Sequence, residues 1–73
     1  MFNVGDKVIV KLDYWKYLKC SYKFIRDDLP EDSPIFYISR KRDINTHAYD
    51  YYIKCELYDL TDIVKEENLL KAP

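Results

Sequence analysis

The chain has 73 residues and a net charge of −1, with 13 acidic side chains against 12 lysines and arginines. That length makes one domain, residues 1–73, with a thin core, because a chain this short buries only about 60% of its unfolded surface. The charge balance argues against a protein held on nucleic acid by bulk charge, and no apolar run approaches the roughly 20 residues that span a membrane.

The first predicted element is a strand. Gly5-Asp6 reads as a turn, and Gly5, the one glycine of the chain, permits backbone angles closed to other residues. Val8, Val10 and Leu12 then share one face, while Lys7, Ile9 and Lys11 share the other.

From Tyr14 to Arg26 the alternation fails and a 3.6-residue period takes over. Tyr14, Leu18, Ser21 and Ile25 line one side, flanked by Trp15, Tyr17, Tyr22 and Phe24. Lys16, Lys19, Lys23 and Arg26 gather within about 80° on the other side. Asp13 suits the N-cap, since its carboxylate can accept from free amides of the first turn. A helix near residues 14–26 is expected, and a long aromatic-rich loop pinned against the sheet is the alternative.

Pro30 and Pro34 mark Asp27–Pro34 as a loop. Ile35–Lys41 reads as a strand with Phe36 and Ile38 inward, and Arg42–His47 as a polar hairpin loop. Ala48–Leu70 carries the strongest pattern. Tyr49, Tyr51, Ile53, Cys55 and Leu57 fall on one parity and Asp50, Tyr52, Lys54, Glu56 and Tyr58 on the other, which is a half-buried strand. Burial of Tyr51, Ile53 and Leu57 and exposure of Lys54 and Glu56 follow. A turn at Asp59-Leu60-Thr61, a short strand over Thr61–Lys65, a helical turn at Lys65–Leu69 and a tail complete the chain.

Chemistry is sparse. His47 is the one histidine, set in the polar loop. A nucleophilic Cys/His pair would need Cys20 or Cys55 beside it, and Cys55 lies on the apolar face of its strand. There is no CxxC or HxxxH spacing for a metal, and one glycine cannot make a phosphate-cradling loop. No enzyme activity, cofactor or metal site is expected. Met1–Gly5 has neither the basic start nor the apolar stretch of a signal peptide, so a cytoplasmic protein with two free thiols is expected.

Eight tyrosines and one tryptophan exceed what so small a core can hide, and rings with polar tips suit interfaces. Trp15, Tyr52 and Tyr58 are therefore candidates for partner binding, although cross-strand packing accounts equally for Tyr52 and Tyr58. Lys16, Lys19, Lys23, Arg26, Arg40 and Arg42 form a candidate basic patch. Their other reading is a solvated surface.

The opening Val-Gly-Asp-Lys-Val-Ile-Val strand and the closing order of long strand, acidic turn, short strand and Glu-Glu-Asn-Leu resemble the ends of an SH3-like barrel. Thr46–Leu69, with its Tyr-Asp-Tyr, Asp-Ile and Lys-Glu-Glu-Asn-Leu, is similar to the small prophage SH3-like proteins of the YorP type. The resemblance covers about a third of the chain well and supplies no catalytic residues. It implies a mostly β (α+β) fold, a small SH3-like barrel of about five strands with an inserted helix or helix-like arm. It also implies a phage or prophage origin and a binding role: a non-catalytic module that modulates or inhibits a host protein. An RNA- or DNA-binding barrel using the basic patch is the alternative, and a subunit that assembles with itself through an edge strand is a third.

Overall fold

The computed structural model describes residues 2–42 and 51–73. Strand β1 (Lys7–Val10) leads directly into helix α1 (Leu12–Tyr22). Strands β2 (Phe36–Lys41), β3 (Tyr51–Cys55) and β4 (Leu60–Val64) follow. A 3-10 turn at Glu66–Asn68 then delivers β5 (Leu69–Lys71). Most of the loop expected at Arg42–His47, His47 included, lies outside the described residues, as do Ala48, Tyr49 and Asp50.

Among the described residues the strands form one open antiparallel sheet, ordered β4-β3-β2-β1-β5. The fold is mostly β with one helix. Consecutive strands β1 to β4 are neighbours, and β5 returns to pair with β1 through Ile9↔Leu70. The alternation predicted for the strands sets the inner face: Val8, Val10, Phe36, Ile38, Tyr51, Ile53 and Cys55 are buried. Leu60, Val64 and Leu69 join them from β4 and β5. The Cys55 thiol is buried and the Cys20 thiol exposed, and neither is bridged. Gly5 takes φ +93 in the turn before β1, where a β-carbon would be strained.

Helix α1 covers this face with Trp15 and Leu18, both buried, and with half-buried Tyr22. The seam therefore runs through 15, 18 and 22, with half-buried Tyr14 packed against the core as expected, and it leaves out Ser21 and Ile25. Trp15 sets it. Its ring meets Phe36 edge-on with centroids 6.1 Å apart, and its indole N–H donates to the Pro30 carbonyl at 3.1 Å. A ring that size gains more from full burial than Ser21 or Ile25 could, so the helix rotates to bury it. The helix also ends at Tyr22, releasing Ile25 from its pattern.

Other expectations are corrected. Leu12 opens the helix and is exposed, because β1 stops at Val10. Lys11, not Asp13, occupies the N-cap, without a side-chain cap, while the Asp13 carboxylate accepts from the Tyr14 amide at 2.8 Å. Leu57 is exposed, because β3 ends at Cys55 and the chain turns over Glu56–Asp59. Asp59 takes φ 54 in that turn, a left-handed conformation aspartate tolerates.

Candidate functional site

The helix carries its lysines beside the core seam rather than opposite it. At 100° per residue, Lys16, Lys19 and Lys23 centre about 100° from the Trp15–Leu18–Tyr22 seam. The Asp27–Pro34 loop runs along that side, held by the Trp15–Pro30 bond and by the Val10 amide donating to Ser33 Oγ at 2.9 Å. Between helix and loop lies a depression of about 390 Å³, lined by Lys16, Lys19, Cys20, Lys23, Arg26, Asp27 and Leu29. Four of the six predicted patch cations thus share one surface.

They are not equivalent. Arg26 forks onto Asp28, with Nε to Oδ1 at 2.7 Å and Nη2 to Oδ2 at 2.8 Å, and its Nη1 donates to the Tyr58 carbonyl. Its guanidinium also lies over the Tyr58 ring, 5.3 Å from the centroid. The hydrogen bonds to Arg26 hold the Asp28 carboxyl below its usual range, and the same bonds raise Arg26 further. Arg26 is therefore a tie between arm and turn. Lys16, Lys19 and Lys23 have no ion pair among the described residues.

Arg40 and Arg42 stand apart from this depression. A bulge at Ser39 shifts the β2–β3 register between Ile38↔Ile53 and Arg40↔Tyr52. Without the extra residue Arg40 would follow Ile38 onto the inner face. With it, Arg40 turns outward, its guanidinium 5.2 Å from the Tyr52 ring centroid. Arg42 follows β2 and is half-buried.

The aromatic candidates separate likewise. Trp15 is 0% exposed and presents no surface to a partner. Tyr52 and Tyr58 are half-buried, each beneath an arginine. Among the described residues the most exposed large apolar side chains are instead Phe24 at 87%, Ile25 at 82% and Leu57 at 80%. Phe24 and Ile25 follow the end of α1, and Leu57 rides the turn that Arg26 grips. Ile25 shares a hollow with Tyr22, Arg26, Tyr58 and Asp59. A sequence signal existed for Phe24: on a continued helix it points about 150° from the Trp15–Leu18–Tyr22 seam.

Two ties fix this end of the arm. Besides Arg26, the Tyr22 hydroxyl donates to Asp62 Oδ2 on β4 at 2.6 Å, while Asp62 Oδ1 accepts from the Ile63 amide at 2.7 Å. Burial, reinforced by the Asp62 carboxylate, pushes the Tyr22 phenol well above its ordinary pKa.

Among the described residues no three metal-ligating side chains cluster, and no helix is long and apolar enough to cross a membrane. The chain matches no family model, no curated protein and no solved structure.

Proposed function

We propose that this is a non-catalytic, protein-binding module that docks through the end of its helical arm. The observation that carries this reading is the exposure of Phe24 and Ile25, at 87% and 82%, on a segment tied down by Tyr22 and Arg26. Exposed large apolar side chains on a fixed segment offer a partner apolar area without the cost of ordering a loop. Half-buried Tyr58, which shares a hollow with Ile25, extends the surface to the β3–β4 turn. Tyr52, under Arg40, lines a separate hollow with Ser39, Thr61 and Ile63.

The wider reading is that of a small SH3-like barrel protein of phage or prophage type, acting in the cytoplasm of a host cell on a host protein. The strand order β4-β3-β2-β1-β5 with a 3-10 turn before β5 supports an SH3-like path, opened between its edge strands. In this reading α1 and the following loop are an insertion that carries the docking end.

The nucleic-acid alternative rests on the basic patch. With Arg26 committed to Asp28 and Arg40 stacked on Tyr52, three lysines remain together, and three neutralised phosphates give weak binding. Affinity capture from a bacterial lysate, compared between wild type and the double variant Phe24→Ser/Ile25→Ser, tests the proposal. A partner retained by wild type and lost by the variant is expected, with no gel shift of random DNA or RNA at micromolar protein. A salt-sensitive shift abolished by charge reversal at Lys16, Lys19 and Lys23 would promote the alternative.

A further inference from the structure

The docking end continues along α1 into the basic depression, whose chemistry specifies an occupant. Its lining sets four cations against one carboxylate, Asp27, in a chain whose net charge is −1. Three of the cations are unpaired among the described residues. Cys20 and half-buried Leu29 add apolar surface between them. An occupant that satisfies all of this carries carboxylates and an apolar side chain on one face.

The spacing specifies its form. Along α1, Lys19 and Lys23 stand about 4.5 and 10.5 Å from the level of Lys16. A second helix shares the same rise, so acidic residues at i, i+3 and i+7 meet all three levels. An extended strand presents one face about every 6.8 Å and falls out of step. A nucleic-acid strand fits less well, because no aromatic ring lines the depression to stack a base.

We propose that this depression seats an acidic amphipathic helix of a partner protein, with its carboxylates on Lys16, Lys19 and Lys23 and an apolar side chain against Cys20 and Leu29. The proposal rests on the protein-binding reading and names the partner's chemistry.

Cys20 reports occupancy directly, because it lines the depression and is exposed while Cys55 is buried. The probe is a synthetic peptide of about 18 residues, long enough to form a helix, with glutamates at i, i+3 and i+7 and leucines between. A second peptide replaces each glutamate by glutamine, and oligo-dT is the polyanion control. The glutamate peptide should slow reaction of Cys20 with a thiol reagent, while the glutamine peptide needs about tenfold higher concentration for the same effect. Protection should vanish in the variant Lys16→Glu/Lys19→Glu/Lys23→Glu and weaken in Lys16→Glu alone. Each variant is compared with its own unprotected rate, and circular dichroism reports its fold. Equal protection by both peptides, no protection by the glutamate peptide, or stronger protection by oligo-dT would overturn the proposal. If the glutamate peptide fails while Phe24→Ser/Ile25→Ser still abolishes lysate capture, protein binding stands and the acidic helix falls.

Discussion

Along the inner face of the sheet, Val8, Phe36, Ile38, Ile53 and Val64 lose essentially all contact with water, while at the end of the helical arm Phe24 and Ile25 keep more than four-fifths of theirs. The first region is held by area removed from solvent and the second by the hydrogen bonds from Tyr22 to Asp62 and from Arg26 to the Tyr58 carbonyl. Apolar burial is non-directional and adds up over many residues. A directional tie fixes one segment and leaves its neighbours free to face outward. The arm can therefore display hydrophobic side chains in a set position, which a segment held by its own apolar residues could not do.

Cutting into the sheet should give the largest effect. Ile53 is 1% exposed at the centre of β3. Ile53→Ala should cost about 2–5 kcal/mol through lost transfer energy and the cavity left behind, a large share of what so small a domain has. Urea denaturation reads the loss, and an unchanged midpoint would show that the sheet does not depend on burial at this position.

The Tyr22 tie comes next. Tyr22→Phe removes the donor to Asp62 and should cost about 1–2 kcal/mol at neutral pH. The variant also tests the pH dependence. The folded phenol is held above its ordinary value, so the folded protein keeps a proton that unfolded tyrosine gives up near pH 10. Its contribution is present below that pH and is lost as pH rises above it toward the folded value. Wild type should lose stability on alkaline titration above about pH 10, and Tyr22→Phe should lose less. Parallel curves would place the alkaline loss elsewhere.

The two regions also differ in what their residues announce. Alternation made Val8, Val10, Phe36, Ile38, Tyr51, Ile53 and Cys55 legible as an inner face, because a strand offers two faces and one was apolar. The strand ends were not legible, and Leu57 was lost to a turn that depends on Asp59 reaching positive φ. On α1, two apolar faces one residue apart competed, and the choice rested on Trp15 finding the Pro30 carbonyl, a contact no local pattern encodes. The lysine surface was legible from spacing alone. The removal of Arg26 and Arg40 from it was not, since one depends on Asp28 and Tyr58 and the other on a bulge at Ser39.

Arg26→Ala should release the arm from the β3–β4 turn with a smaller drop in midpoint than Ile53→Ala. Its pH signature runs opposite to that of Tyr22. The Asp28 carboxyl is held below its usual range by Arg26, so the pair contributes above that range and is lost as pH falls through the folded value. The difference between wild type and Arg26→Ala should therefore shrink on acidification. A difference independent of acid would mean that the contacts of Arg26 with Tyr58, its carbonyl and its ring, carry the effect without help from Asp28.

The smallest effect on stability is expected where the apolar side chains are most exposed. Phe24→Ser and Ile25→Ser each remove a large side chain that has little neighbouring protein to lose, so each should shift stability by no more than about 0.5 kcal/mol. Had the arm been fastened by these residues, the same changes would cost as much as a core truncation. Thermal denaturation of the two single variants decides between these outcomes, and hydrogen exchange at the amides of Ile25 and Arg26, both bonded to the Tyr22 carbonyl, reports whether the arm stays in place. Unchanged melting and unchanged exchange together would show that these side chains do not fasten the arm, while faster exchange at those amides would show that Phe24 and Ile25 help to hold the segment that Tyr22 and Arg26 tie.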